Sequence, residues 1–406
     1  MQLFPKLPSI IIMNYQDNQG ILPPHLNDKV NRIIKKYNFK KYSMNINLLP
    51  TDSSSFLGIL REVTIFGESD DGVNEINLFI KTSSPDQTLT IYSIPDSYNK
   101  EVFAYTDLLR VMQDIQDQFK LPEMERYNIV KGYDESDVES IIMENLCKKG
   151  YKTLDKFERI SLKYAELAIK QLSRFHGISI VLREKRPNYF DEKIKSLKQP
   201  FYYGAPWNEF IDNINNLGIS CLDTDVRDRV IKYLPTTYDK YEKYTTDSMS
   251  MKCLVHGDYR MNNIMAKFKG EELLNVAVID YQLMFYGCPI IDFLYFIFGN
   301  TDQQFRKDHI TYLKDIYHET MGQFLKYFDM DVEMHYPRKE FERLYVERLD
   351  YGLMISLWFI PITLANPGEI PDLTKVNLAE LKFNLNDVVR SRVRGVVDDF
   401  LNWGYL

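Results

Sequence analysis

Two short polar segments in the second half of the chain carry the side chains best suited to chemistry. The first contains Asp258 and, five residues later, Asn263, and the second begins with Asp280 directly after an apolar run. A carboxylate orients an alcohol and accepts its proton, and carboxylate and amide oxygens are the hard ligands that Mg²⁺ prefers. Phosphoryl transfer to an alcohol needs both, so the spacing predicts Asp258 as base and Asn263 and Asp280 as Mg²⁺ ligands.

Each of these polar residues alone would be interpreted as a simple cap at the end of a strand, where Asp and Asn are common. The complete set, in which each segment follows a β-rich run, favours a functional site. The stretch between Asn263 and Asp280 suits a hairpin that returns the chain to that site. His256, two residues before Asp258, is interpreted as structural support that steadies the loop by hydrogen bonds.

A lysine for the phosphates of ATP is expected on an earlier strand. The run from Leu78 to Lys81 ends in a lysine, and Lys81 is predicted to be catalytic and to contact the α- and β-phosphates. Glu101, on the next predicted helix, is its expected partner, with Glu62 and Glu75 as alternatives.

A serine-rich segment precedes these strands and is a candidate loop over the phosphates. It offers backbone N–H groups and hydroxyls to phosphate oxygens, but it has no G-x-G-x-x-G pattern, and an ordinary turn is nearly as good an interpretation. Its candidate nucleotide-binding residues are Ser53, Ser54 and Ser55.

Local patterns predict the elements that position these groups. Strands are expected at 45–49, 58–66, 76–82, 141–143, 253–255 and 276–279, and helices at 27–37 and 98–119. A further helix is expected to open at Asp155 with Glu158 completing a capping box, and the remainder from 291 reads as helices, one of them broken by Pro361 and Pro367. These elements divide the chain into an N-terminal arm and helix (1–44), a β-rich, ATP-binding N-lobe (45–143) and a helical C-lobe (144–406) with the catalytic loop, metal site and acceptor pocket.

Composition narrows the function. The chain has 406 residues, a net charge of −7 and a pI near 5.6, which argues against a nucleic-acid partner. Its four cysteines have no metal-ligand or disulfide spacing, so we expect reduced thiols in a cytoplasmic protein. No apolar run is long enough to span a bilayer. We therefore expect a monomer that meets neither membrane nor nucleic acid.

The motifs quoted so far resemble the choline-kinase and aminoglycoside-phosphotransferase branch of the kinase superfamily, and most closely the ecdysteroid kinase-like family. The resemblance runs from about residue 45 to 400. Besides Lys81 and Glu101, it rests on Met143–Leu146 for the E-D-L hinge, Leu172–Ser179 for L-A-x-F-H-A-x-S, His256–Asn263 for H-G-D-x-W-x-x-N, Ile279–Gln282 for I-D-F-Q and Pro289–Leu294 for P-x-x-D-L.

The resemblance implies an α+β, protein-kinase-like two-lobe fold, with a small β-rich N-lobe and a large helical C-lobe. It implies an ATP- and Mg²⁺-dependent phosphotransferase whose acceptor is a small-molecule alcohol, such as an ecdysteroid at its C-22 hydroxyl or a related steroid or xenobiotic alcohol. Glu144, Asn145 and Leu146 would then bind adenine, and Asp292 would support the catalytic loop. The chain departs from the family at Tyr259-Arg260, where Leu/Cys-Trp is usual, at Asn145, and in lacking a glycine near Ser53.

Other functions stay open at this point. A catalytically dead, kinase-like binding module has no chemical need for Lys81, Asp258, Asn263 and Asp280 together. A choline- or aminoglycoside-type kinase would use the same machinery on a different acceptor. A protein kinase is disfavoured, because only eleven residues separate Asp280 from Asp292, too few for a platform that binds a peptide.

Overall fold

The computed structural model describes residues 22–49, 58–70, 72–83, 89–247, 251–371, 373 and 375–406. A four-stranded antiparallel sheet of order β1-β2-β3-β4 forms its N-terminal part. The strands are β1 (Lys41–Leu48), β2 (Ile59–Ser69), β3 (Gly72–Thr82) and β4 (Ser140–Glu144). Helix α1 (Pro24–Lys35) covers one face of this sheet and closes a small hydrophobic core with it.

Strand β3 shows why only the other face of the sheet can carry chemistry. Leu78 and Ile80 are completely buried in the core beneath α1. Because successive side chains alternate across a strand, Phe79 and Lys81 point the opposite way, towards the rest of the molecule. They line a large cleft there.

The next helical stretch connects the sheet to the larger core. It consists of α2 (Ile94–Phe103), a π-helical turn (Ala104–Leu108) and α3 (Leu109–Gln118), and it matches the predicted helix except for an earlier start. The start is fixed by Ser93, whose hydroxyl accepts a hydrogen bond from the Asp96 N–H. The buried face of this stretch belongs to the large hydrophobic core of the second part.

The second part is mainly helical. Its long central helix α4 packs along α10, and two small sheets carry the polar loops: β5-β7-β8 and β6-β9. The helices are α4 (Leu162–Lys185), α5 (Pro187–Tyr189), α6 (Ala205–Ile219), α7 (Thr224–Tyr233), α8 (Tyr238–Thr246), α9 (Ile290–Asn300), α10 (Gln303–Lys326), α11 (Val332–His335), α12 (Arg338–Glu347), α13 (Asp350–Thr363) and α14 (Asp387–Asn402). The strands are β5 (Tyr151–Lys152), β6 (Cys253–Val255), β7 (Ile264–Lys269), β8 (Glu272–Val278) and β9 (Phe285–Gly287).

Two local predictions were wrong. Asp155 does not open a helix: its carboxylate accepts from the Phe157 N–H in a turn, and α4 begins after Ser161, whose hydroxyl caps the Tyr164 N–H. The regularly spaced apolar stripe starts only at that point, with Tyr164, Ala165 and Ala168 buried along α4. Pro361 does not break its helix, since α13 continues through it to Thr363 and ends before Pro367.

A β-rich first part and a larger helical second part confirm the predicted α+β, two-lobe fold. The predicted boundary at residue 144 coincides with the end of β4, and the division into domains stays a prediction. Within the described residues, no helix combines the length and the apolar character needed to cross a membrane.

Candidate active site

Lys81 lies at the centre of a buried group of charges. Its ammonium donates to Glu101 Oε2 on α2 at 2.9 Å and lies 3.5 Å from Asp280 Oδ1. Burial alone lowers the pKa of Lys81, but the two carboxylates outweigh it, so the net shift is upwards and the lysine stays charged. Burial also raises the pKa of Glu101, to about 7, against the opposing effect of Lys81. Glu101 therefore fixes the position of the charged Lys81 ammonium at the wall of the cleft.

The sequence left three candidate partners for Lys81, and the structure distinguishes them. Glu62 accepts hydrogen bonds from the side chains of Asn145 and Asn47 instead. Glu75 accepts from Asn77 near the exposed end of the β2-β3 hairpin. Only Glu101 lies within ion-pair distance of Lys81 among these three.

The loop after β6 is held from behind by Asp292, at the start of α9. Its two carboxylate oxygens accept the N–H groups of His256 (2.6 Å) and Gly257 (2.8 Å), and His176 Nε2 lies 3.1 Å from the same carboxylate. Gly257 has φ +80°, and a Cβ there would come within 2.4 Å of the Leu283 carbonyl oxygen. Only glycine fits this turn without strain. The conformation of the loop is therefore set by close packing at Gly257 and by the hydrogen bonds to the buried Asp292 carboxylate.

Two contacts join the Asp258 loop to the segment that carries Asp280. His256 Nε2 lies 3.1 Å from the Ile279 carbonyl oxygen, and the Ile279 N–H donates to the Asn263 carbonyl oxygen at 2.9 Å. Asp280 itself adopts φ +69°, with its N–H donating to the Tyr105 hydroxyl. The β7-β8 hairpin thus returns the chain to the loop, as the spacing predicted.

The Asp258 carboxylate is surrounded by three donors. Oδ2 accepts from Asn263 Nδ2 (2.8 Å) and Arg260 Nε (3.1 Å), and Oδ1 accepts from the Tyr295 hydroxyl (2.7 Å). A carboxylate has about four acceptor positions, so one position remains, on Oδ1. A hydroxyl that approaches from the cleft can donate to it.

Sequence reasoning missed Tyr295 and treated Arg260 only as a departure from a motif. A signal for Tyr295 was present, because it follows Asp292 by three residues on α9 and therefore shares its helical face. For Arg260, the signal was a cation two residues after the expected base. Burial works against its charge, but Asp258 outweighs burial and raises the pKa of Arg260.

The oxygen atoms available near Asp280 suit a hard cation such as Mg²⁺. Asn263 Nδ2 donates to both the backbone and the carboxylate of Asp258, which fixes the orientation of the amide and leaves its Oδ1 free to bind a cation. The Asp280 carboxylate would supply the second oxygen, and both residues line the cleft. In the described part of the chain, no three histidine, cysteine or acidic side chains lie together as a metal site of their own.

One cleft of about 470 Å³ is lined by Lys81, Glu101, Asp258, Asn263 and Asp280, which we call the charged centre. Apolar side chains from the sheet and from the base of the cleft form what we call the nucleotide half: Leu49, Leu60, Phe79, Met143, Leu146 and Met265. Rings from separate segments, which contact one another, form what we call the acceptor half: Tyr92, Phe201, Trp207, Phe210, Trp358 and Phe359.

The segment predicted to bind adenine lies in the nucleotide half. The N–H groups of Glu144 and Asn145 are already used, since they donate to the carbonyl oxygens of Lys131 and Asn77. The Leu146 N–H donates to no described residue, so it is the hinge amide left for a ligand. The predicted phosphate-loop residues Ser53, Ser54 and Ser55 lie outside the described residues.

Comparison with known proteins adds a family match. The model of the ecdysteroid kinase-like family matches residues 53–330. No curated protein matches the chain in sequence.

Among solved structures, an ethanolamine kinase from Plasmodium vivax is 12% identical, with 89% of this chain and 84% of that chain covered and a TM-score of 0.41. The choline kinase LicA from Streptococcus pneumoniae is 13% identical, with 93% and 99% covered and a TM-score of 0.41.

Proposed function

This chain belongs to the ecdysteroid kinase-like family, and from that premise we propose that it transfers the γ-phosphoryl group of ATP to a hydroxyl of a small molecule. The observation that carries the proposal is the convergence of two groups in one cleft. Lys81, paired with Glu101, faces Asp280, and Asp258 with Asn263 lines the same space. A site for phosphates and a site for an alcohol are therefore adjacent.

In the nucleotide half, binding and charge neutralisation are the main tasks. Lys81 would contact the phosphates, and Glu101 keeps its ammonium in place at 2.9 Å. Asn263 and Asp280 would hold Mg²⁺, which when bound neutralises the negative charge of the phosphates. The Leu146 amide and the apolar walls would receive the adenine ring.

In the acceptor half, Asp258 orients the substrate. The acceptor hydroxyl donates to the open position on Oδ1, next to the Tyr295 hydroxyl. The bond from the acceptor oxygen to the γ-phosphorus forms as the bond from that phosphorus to the bridging oxygen of ADP breaks. The hydroxyl proton passes to Asp258, and the ADP leaves with the electron pair of the broken bond.

For the acceptor, we propose an ecdysteroid or a related steroid or xenobiotic alcohol. Six aromatic side chains line the acceptor half, and rings of this kind bury flat apolar molecules. Beyond Asp258, the described residues that line this half carry no carboxylate, and Arg260 adds a positive charge beside the base. The lack of a further carboxylate and the charge of Arg260 favour an uncharged acceptor over choline or an aminoglycoside.

The test is ATP consumption by the purified protein with Mg²⁺ against a panel of alcohols. The panel contains ecdysone, 20-hydroxyecdysone, choline, an aminoglycoside and several plant glycosides. Asp258→Asn is the inactive variant, and Asp114→Asn, an exposed aspartate on α3, is the matched control. Turnover with a steroid that is lost only in Asp258→Asn supports the proposal.

Other outcomes contradict parts of it. Turnover with choline or the aminoglycoside alone would replace the acceptor class and keep the reaction. Absence of nucleotide binding by calorimetry, together with absence of turnover, would favour the binding-module alternative.

A further inference from the structure

Arg392, in the middle of α14, is a buried cation without a partner. Only 8% of the residue is exposed, and the guanidinium makes no hydrogen bond or ion pair with any described residue. Its Nη1 atom is completely enclosed and has no acceptor. Burial of an unpaired charge is strongly unfavourable in the interior of a protein, so this position calls for an anion.

Asp302 is the carboxylate that acts on Arg392 through space, and it forms no ion pair with it. Asp302 forms an ion pair with Arg159 at 3.0 Å, and its other oxygen caps α10 at the Phe305 N–H. Asp399 pairs with Arg306 at 2.7 Å. Burial lowers the pKa of Arg392, and the nearby charges of Arg306 and Arg159 lower it further. The Asp302 carboxylate raises the pKa but does not offset these effects.

Arg392 lines a small cavity. Its volume of about 10 Å³ is that of about one water molecule or one ion of similar size. Two further cationic residues line it: Arg260 from the catalytic loop, and Lys156, whose ammonium donates to the Ala365 carbonyl oxygen. The amide side chains of Asn262 and Asn300 complete the polar part of its wall.

We propose that this cavity is a binding site for one small inorganic anion of the size of chloride, held by Arg392 and reached by Arg260. A space for a single ion matches a monatomic anion better than an organic ligand or a phosphate ester. Arg260 and Lys156 have bonds of their own and add positive potential around this space. The cavity adjoins the main cleft and shares Phe359 and Arg260 with it, but Arg392 on α14 and Asn300 at the end of α9 line only the small cavity.

Arg260 connects this site to the chemistry. It lines both the small cavity and the main cleft, and its Nε donates to Asp258. An anion at Arg392 would hold the far end of the Arg260 guanidinium while Asp258 holds its Nε. This second step rests on the proposed function, whereas the existence of the anion site does not.

The first test is diffraction from crystals of the full chain transferred to bromide, recorded at the bromine absorption edge. An anomalous peak beside Arg392, between α14 and the catalytic loop, supports the proposal. An ordered cavity without such a peak overturns it, and this result does not depend on any variant or on an identified acceptor.

The second test measures the thermal midpoint at constant ionic strength in sodium chloride and in sodium gluconate, whose anion is too large for the cavity. We expect chloride to raise the midpoint by about 2 °C, saturating with concentration. Arg392→Leu should remove this difference. Arg390→Leu, an exposed arginine on the same helix, should retain it.

An equal chloride response in Arg392→Leu and the unmodified chain would overturn the proposal. A bromide peak in the crystal without any chloride response in solution would also overturn the proposal, because it would show binding at crystal concentration only. Once an acceptor is known, turnover in chloride and gluconate should differ severalfold in the unmodified chain and not in Arg392→Leu. Equal turnover in both salts would refute the coupling through Arg260.

Discussion

The two halves of the cleft are constructed differently. In the nucleotide half and at the charged centre, each ionic group has a specific partner: Lys81 has Glu101 and Asp280, and Asp258 has Asn263, Arg260 and Tyr295. The acceptor half is walled by rings that come from three separated parts of the chain: Tyr92, the stretch 201–210 and the pair 358–359. The difference indicates that the reaction depends on a few exact pairings, whereas acceptor choice depends on shape and can change with little effect on chemistry.

The largest effect is expected at Asp258. Asp258→Asn keeps the size of the side chain but removes the proton acceptor, so turnover should fall by about 10³-fold. Nucleotide affinity, measured by calorimetry with Mg·ATP, should stay within about twofold, because the phosphate-binding groups are untouched. Near-normal turnover in the variant would mean that another group is the base.

Lys81→Met should be the next most damaging change, and it affects stability as well as turnover. Loss of the cation should lower turnover by about 10²-fold or more. It also leaves Glu101 buried without its partner, which costs about 3–5 kcal/mol in the free energy of unfolding. Urea unfolding measures that cost, and the double variant Lys81→Met/Glu101→Gln should recover most of the stability but none of the turnover.

The pH dependence of Lys81→Met has a defined sign. Burial already raises the pKa of Glu101, to about 7 from its ordinary value of 4.5, and Lys81 is the group that lowers it. Without Lys81 the folded carboxyl prefers its proton, so the variant should be most stable near pH 4.5 and lose stability as the pH rises through and above 7. The double variant should lack this dependence, and a variant that gains stability with rising pH would contradict the assignment.

Tyr295→Phe should have a smaller effect that concerns only the orientation of the base. The ring, which packs on Phe359 at 4.8 Å between centroids, is retained. The hydrogen bond to Asp258 Oδ1 is lost, and a bond to a charged group contributes about 1.5–3 kcal/mol. We expect kcat to fall about tenfold with the KM for ATP unchanged, and Tyr312→Phe, an exposed tyrosine, serves as control. An unchanged kcat would mean that Tyr295 does not help to orient Asp258 for the reaction.

The same contrast between the halves explains what could be predicted from sequence. The two-lobe fold and the residues at the charged centre could be predicted, because they are marked by short motifs. Within a short motif, the separation of two residues along the chain determines how far apart they lie in the fold. The sequence favoured Glu101 as the partner of Lys81 but could not exclude Glu62, because the pairing depends on how α2 docks on the sheet. The acceptor wall was equally hidden, since Tyr92, Phe201 and Trp358 meet only through the packing of distant segments.

A matched pair of substitutions, one in each half of the cleft, tests whether the two halves act independently. Of the changes considered, these are expected to have the smallest effects. Phe201→Leu removes a ring that contacts Trp207 at 5.1 Å in the acceptor half, and Phe79→Leu removes one beside Lys81 in the nucleotide half. Loss of aromatic area and ring contacts costs about 1 kcal/mol at each site. We therefore expect Phe201→Leu to raise the KM for the acceptor about fivefold and leave that for ATP unchanged, with the reverse for Phe79→Leu. If both variants changed both constants equally, the halves would be one coupled pocket, and acceptor choice could not vary independently of the nucleotide site.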